Sequence, residues 1–425
     1  MGPFIGTYVA AEQYVKSTEG SHTGVVVFLM LSWFPSLMNF WANIEKPIIG
    51  LSPMDGITDA SFRFITAKHG KPDVTLTEFV NIQSALYSPQ TLLKGLTYCE
   101  IERPVVAQIY GKTPELFYQV AHVVCELGFD GLDINMGCPA KKVAVTGCGA
   151  ALIRTPALAR EIIHATRRGI EDWQQGQTLR GLDFRSDLLE GVEQINLARN
   201  GWKTPPERRL IPVSVKTRLG YDRVIIEDWV SVLLEEKLAA ISLHGRTLEQ
   251  GYRGEADWEA IARAVQIARK TNTLIIGNGD AQNLRDIYRR VRQTGVDGVL
   301  VGRGAQGDPW IFQEKNMLKE ALRSGEEVFS SDYNVSLAER FAVIVEHCEH
   351  FERLCGRSRF MAMRKHLTWY CRDFRGAAEM RSKMTRANSA DEVRYHLQEF
   401  VRIYTGEPDT PRVQTRDQQS ERLPL

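Results

Sequence analysis

Cys138 stands between Gly137 and Pro139 in the stretch DINMGCPAKKV, just after a short apolar run. A thiol in a tight Gly-Cys-Pro loop at a strand end is expected to be presented to a site rather than buried, and can serve as a nucleophile or a proton donor. A structural cysteine, the usual fate of this residue, sits mid-strand or mid-helix instead. Further along, IIGNGD (Ile275–Asp280) and VGRGAQGDP (Val301–Pro309) each place glycines directly after an apolar run. Glycine lets backbone N–H groups turn inward and approach a phosphate closely. Arg303 adds a charge-assisted clamp. One Gly-x-Gly says little, but two at consecutive strand ends point to a phosphorylated cofactor.

Three more side chains suggest what that cofactor carries. Lys216 in VSVKTRLG interrupts an otherwise apolar run, and a buried lysine is costly unless something anionic meets it. No carboxylate lies within that run. For FMN, whose reduced ring carries negative charge near N1 and O2, such a lysine supplies the stabilising donor. Gln108 in VVAQIYG can hydrogen-bond the edge of an isoalloxazine ring, and His244 in ISLHGRT can donate to the ring or its phosphate. A lone histidine on a strand is more often a satisfied core residue. Its place at a strand end, like the others, is what favours the site.

These residues need a frame that brings strand ends together. From Pro47 to about Phe312, eight short apolar runs alternate with longer amphipathic stretches: Ile48–Ser52, Val74–Thr77, Val105–Ile109, Gly131–Asn135, Val213–Lys216, Ala240–His244, Leu274–Asn278 and Gly298–Val301. Repeated βα units of this number predict a (β/α)8 TIM barrel, whose active site lies at the C-terminal ends of the strands. Nearly every run does end in a polar, charged or glycine residue, including Pro53-Met54, Glu78, Gln108, Asn135, Lys216, His244, Asn278 and Gly302-Arg303.

The barrel is expected over residues 38–328, with an insertion at about 170–209 rich in Gln, Arg, Asp and Gly. From 329 to 404 the pattern turns helical, as in LAERFAVIVEHCEHFERLCG and RFMAMRKHLTWYCRDF, and predicts a C-terminal all-helical domain. Basic residues from Arg353 to Arg386 outnumber the acidic ones there, with Trp369 and Tyr370 interleaved, as on a surface that tracks phosphates and stacks bases. Residues 405–425 are polar and expected to be disordered. Residues 1–37 read as a leader, either non-native, with Met38 opening the true chain, or a short membrane-touching arm. The apolar stretch Val25–Met38 is interrupted by Pro35 and is shorter than a membrane span requires. The net charge of +1 announces no nucleic-acid binder by itself, and seven cysteines without a CxxC pair suggest neither a disulfide framework nor zinc. A reducing cytoplasm, a monomer, no membrane and no stable protein partner are the matching expectations.

Taken in order from about Pro47 to Arg381, the chain resembles the tRNA-dihydrouridine synthase family. The resemblance rests on LSPMDGITDASFR, VVAQIYG, DINMGCPAKKV with GCGAALIRTP, VSVKTRLG, SLHGRT with the later ADW, IGNGD, VGRGAQGDPW and RKHLTWY. It implies an FMN-carrying barrel with a helical tRNA-binding domain, which uses NADPH or NADH to reduce uridines of tRNA. Pro53, Met54 and Asp55 would then lie on the flavin, with Asp55, where many members carry alanine, making its contact through the backbone. Gln108 and Lys216 would hold the ring, and His244, Asn278, Gly279, Asp280, Gly302 and Arg303 would complete the cofactor site. Cys138 matches the family's catalytic cysteine, a general acid that delivers a proton to uracil C5 after hydride reaches C6. Asn135 is a candidate for the uracil edge, Lys142 and Arg246 for the ring or a nearby phosphate, and Arg364 and Lys365 for tRNA. The target uridine must leave its stack to enter such a site. A flavin enzyme of free pyrimidines, of the dihydroorotate dehydrogenase kind, would share the barrel but has no use for RKHLTWY. A non-catalytic RNA-binding protein would have no use for Cys138, Lys216 and Arg303 together.

Overall fold

The apolar runs become strands because side chains cover both of their faces, as in any parallel sheet wrapped by helices. The computed structural model describes residues 39–201, 207–331 and 333–405. It has nine parallel strands: β1 (Ile48–Leu51), β2 (Thr75–Leu76), β3 (Val80–Asn81), β4 (Val105–Tyr110), β5 (Gly131–Met136), β6 (Val213–Arg218), β7 (Ala240–His244), β8 (Leu274–Asn278) and β9 (Gly298–Val301). Eight of them close a barrel, since β9 pairs back onto β1 and β2 pairs directly with β4. The ninth, β3, was not expected. Its two residues add to the far end of β4, with Val80 opposite Ile109, and heighten the wall beside β2.

Helices between the strands start where the sequence supplies caps, short polar side chains that satisfy a free N–H of the first turn. Asp257 accepts from the Ala260 N–H at 2.8 Å and opens Trp258–Ala268. Asn283 accepts from the Asp286 N–H and opens Leu284–Thr294 in the same way. The bottom of the barrel is plugged by Trp41, stacked on Phe40 and buried with Ile48, Val106, Leu274 and Leu300. With that end filled by hydrocarbon, the polar strand ends gather at the other.

The described part of the insertion is largely helical and stays off the top face. Helix Ser186–Asn200 buries Leu188 and Val192 on the barrel flank. Its Asn196 and Arg199 donate to the carbonyls of Glu126 and Leu127, in the turn that leads into the start of β5. The insertion is thus anchored at the opposite end of the barrel from the strand C-termini.

Beyond the barrel, helices Leu337–Cys355, Arg364–Tyr370, Ala377–Met384 and Ala390–Thr405 share a second core that includes Phe341, Cys348, Met363, Leu367 and Phe400. Phe64, Ile65 and Trp310 of the barrel side join this core. His350 stacks on Phe64 with ring centroids 4.0 Å apart, and its Nδ1 meets the Ser61 hydroxyl at 3.1 Å. Tyr370 is buried against His347, so it is a core residue and not a stacking platform for RNA; its hydroxyl finds a partner in the His347 ring. Residues 1–37 and nearly all of the 405–425 tail lie outside the described residues. Among those described, no helix is long and apolar enough to cross a membrane.

Candidate active site

A cavity of about 770 Å³ opens at the C-terminal ends of the strands. Of the residues singled out in the sequence, it is lined by Pro53, Met54, Asp55, Asn135, Cys138, Lys216, His244, Asn278, Gly279, Asp280, Gly302 and Arg303. Four others, Gln108, Arg246, Arg364 and Lys365, fall elsewhere. Gln108 lies beneath the cavity, fully buried, and its amide is engaged by its neighbours: Nε2 donates to Asp133 at 2.7 Å and Oε1 accepts from Asn135 at 3.0 Å. The side chain of Lys142 lies outside the described residues. Arg246, Arg364 and Lys365 are all engaged within the protein, as described below.

The cavity is lined by cations. Lys216 donates to Asn278 Oδ1 at 3.1 Å, while Asn278 Nδ2 donates to the Leu300 carbonyl at 2.8 Å. Burial, and then the neighbouring Arg218, pull the Lys216 pKa down to about 8, against the opposing pull of Asp133. Asp133, buried under the floor, is pushed up to about 6 by burial although Ser214 and Gln108 both donate to it. His244 is driven far below its ordinary range by burial and by the charges of Lys216, Arg218, Arg246 and Arg303, so it is neutral.

Asp280 organises the rim. Its two oxygens accept from Arg303 and Arg246, each at 2.7 Å, and the Ala256 N–H donates to the same oxygen as Arg246. Burial raises its pKa, but those donors outweigh burial and leave it below the ordinary value. Arg246 is only 2% exposed and also donates to the Gly254 carbonyl at 2.5 Å and to His244 Nε2 at 3.4 Å. Because arginine can only donate, Nε2 accepts, and the proton of neutral His244 sits on Nδ1. Arg246 therefore acts from behind the wall. Gly279 has φ +127°, and a Cβ there would meet the Ala256 Cβ at 2.7 Å. Only glycine fits this turn.

The thiol loop is held by hydrogen bonds to its backbone. Asn135 Oδ1 accepts from the N–H groups of Gly137 and Cys138 at 3.1 and 2.9 Å, and Arg218 Nε donates to the Gly137 carbonyl at 2.7 Å. Cys138 lines the cavity but is 5% exposed, buried with Val143 and Cys148. The expectation of a presented thiol thus needs correcting. The chain after Cys138 folds back over it, with the Ala150 N–H donating to the Cys138 carbonyl, so the thiol meets the cavity and not bulk water.

Sequence reading missed Arg218 and Tyr252. Arg218 stands two residues after Lys216 on the same strand, so the period of two already placed both on one face. Tyr252 is 65% exposed at the rim, with the Arg303 guanidinium 5.8 Å from its ring centre, and its signal was an aromatic residue in the glycine-flanked turn GYRG.

The cavity can hold an anion among its cations and admit a second molecule to Cys138. A family model described as dihydrouridine synthase matches residues 50–174 and 192–404. The unmatched gap falls inside the insertion. A probable tRNA-dihydrouridine synthase 2 of Bacillus subtilis (strain 168) is 33% identical over 371 residues, covering 86% of this chain and 98% of that protein. A probable tRNA-dihydrouridine synthase of Staphylococcus aureus (strain COL) is 30% identical over 374 residues, covering 85% and 95%. Among solved structures, DHODH from Eimeria tenella overlaps with a TM-score of 0.44 at 14% identity, covering 74% of this chain and 96% of that one, too distant to bear on function. With a family model spanning barrel and helices alike, and relatives matched over nearly their whole length, the chain belongs to the dihydrouridine synthase family.

Proposed function

We propose that the chain reduces the C5–C6 double bond of uridines in tRNA to 5,6-dihydrouridine, with FMN in the barrel cavity, NADPH or NADH as reductant, and Cys138 as proton donor. The observation that carries this reading is one cavity lined both by an excess of positive charge and by a thiol. Lys216, Arg218, Arg246 and Arg303 crowd His244, while Asp280 is the carboxylate bonded to two of them. Such an excess suits a phosphate and an anionic ring, and the glycine turns of β8 and β9 bring backbone close to both. The residues present therefore fit FMN. Lys216 would meet the ring, and Arg303, Gly279 and Gly302 the phosphate.

When bound and reduced, FMN supplies the hydride that goes to uracil C6. The protein's part is the proton for C5. Asn135 and Arg218 hold the Gly137–Cys138 backbone, which fixes the direction from which the thiol approaches. Donating that proton leaves a thiolate. Both Lys216 and Arg218 lie within electrostatic reach of Cys138, and stabilise the thiolate until solvent returns a proton. The buried position keeps water from competing at the same carbon.

The surface for tRNA falls to arginines that the fold leaves exposed, among them Arg353, Arg357, Arg359, Arg375 and Arg386. Arg364 is otherwise occupied: it donates to the carbonyls of Ala387 and Arg386 and to Asn388 Oδ1, holding a turn of its own domain. The test is NADPH oxidation by the purified, FMN-loaded protein with and without unmodified tRNA. Stimulation by tRNA is expected, whereas steady turnover of free uracil or orotate, indifferent to tRNA, would overturn the reading.

A further inference from the structure

We infer that Lys365 is a positioning residue for the cofactor loop and not an RNA contact. It sits on helix Arg364–Tyr370 of the helical segment, yet its ammonium donates to the carbonyl of Gly56, in the loop that runs from β1 across the cavity rim. The inference rests on the proposed FMN site.

Lys365 holds the Gly56 peptide through its carbonyl, and the Glu78 carboxyl, just past β2, lies near the same peptide. Gly56 has φ +69°, and a Cβ there would lie 3.7 Å from the Lys365 Nζ, which places the lysine head directly over the turn. Within the loop, the Met54 N–H donates to Thr58 Oγ1 at 2.9 Å, and the N–H groups of Ile57 and Thr58 both return to the Met54 carbonyl at 3.0 Å. The loop therefore moves as a unit. Met54 packs beside Gly302, where a Cβ would come within 3.4 Å of its Sδ, so the position of the Gly56 peptide sets the gap between two cavity-lining loops. Just beyond the loop, Asp59 caps helix Ala60–His69 by accepting from the Phe62 N–H at 2.9 Å, and the helical segment docks on that helix. One ammonium–carbonyl bond thus ties the seating of the helical segment to the shape of the cofactor cavity.

A lysine free to meet RNA behaves differently. Each phosphate neutralised adds about one unit to the slope of log affinity against log salt, scaled by roughly 0.7 to 0.9. A lysine spent on a carbonyl adds none. The experiment compares the full chain with Lys365→Met and Lys365→Arg, measuring FMN binding to apo-protein by fluorescence quenching and the salt dependence of tRNA binding. The expected result is about tenfold weaker FMN binding for Lys365→Met, recovery with Lys365→Arg, which can still donate to a carbonyl, and an unchanged salt slope. FMN affinity equal to the unsubstituted chain, or a salt slope reduced by about one unit, would overturn the inference. If the unsubstituted chain itself fails to bind FMN, the cofactor reading fails instead. Should Lys365→Met not fold, Gly56→Ala strains the same turn at φ +69° beneath the lysine head and is expected to weaken FMN binding in the same direction.

Discussion

Lys216 shows how a single position can carry both a cost and a function. Its ammonium is buried among strands, bonded to an amide oxygen and not to a carboxylate, and its pKa is lowered to about 8. Since the ordinary value is 10.5, the unfolded chain keeps this proton between about pH 8 and 10.5 while the folded apo-protein gives it up. Lys216 therefore adds stability as pH rises through that window. Replacing Lys216 by Met should remove that rise in thermal melting of the apo-protein. It should also weaken FMN by about 10- to 100-fold, the range expected for losing one hydrogen bond from a charged group. Unchanged FMN affinity would show that the lysine faces no anion. The sequence made this residue visible because a charge in an apolar run has no cheap explanation. Gln108 looked equally good by position, but nothing in VVAQIYG reveals that Asp133 and Asn135, on the neighbouring strand, occupy its amide. Partnerships across strands are the part that local spacing does not carry. For the same reason the sequence did not reveal that Asp280, which lines the cavity, is shared by two arginines.

Elements were legible in proportion to their length and regularity. All eight barrel strands show an apolar, β-branched run in the sequence, β2 within Val74–Thr77, whereas β3 is two residues long and is defined by its pairing with β4. β3 consequently went unseen. The helix Ser186–Asn200 in the insertion was hidden by composition, although Leu188, Val192 and Asn196 form its buried stripe and recur at a helical spacing. The turn after β8 is the element most sensitive to a single methyl group. Gly279→Ala must either shift Ala256 or relax a φ of +127°. Holding a side chain in so sparsely populated a conformation costs about 1–3 kcal/mol. We expect that variant to lose FMN affinity more than it loses melting temperature, because the strain sits on the rim and not in the core. A variant with intact FMN binding would remove this turn from the cofactor site.

At the scale of the whole molecule, barrel and helical segment meet through buried histidines. His350 and His366 are held down to about 3 by burial, against an ordinary value of 6.5. Below pH 6.5 the unfolded chain takes protons that the folded one refuses, so stability is present above that pH and is lost as pH falls toward 3. The loss at pH 5 is on the order of 2 kcal/mol per histidine. Melting followed at pH 7 and pH 5 should show the drop, and His350→Phe, which keeps a ring against Phe64, should reduce it. A melting point independent of pH over this range would contradict the assignment. The seam between the two parts was not legible in the sequence, since LAERFAVIVEHCEHFERLCG reads as one more amphipathic helix and nothing in it names Phe64 or Ser61 as partners. What the sequence did carry to the scale of the molecule was the meeting of strand ends around a thiol. The most direct test is the yield of dihydrouridine, read position by position by mass spectrometry, in unmodified tRNA treated with NADPH and the FMN-loaded protein or its Cys138→Ala variant. The unsubstituted protein should form dihydrouridine, and the variant should keep its FMN while losing at least about 100-fold in turnover; undiminished dihydrouridine from Cys138→Ala would contradict the role assigned to the thiol.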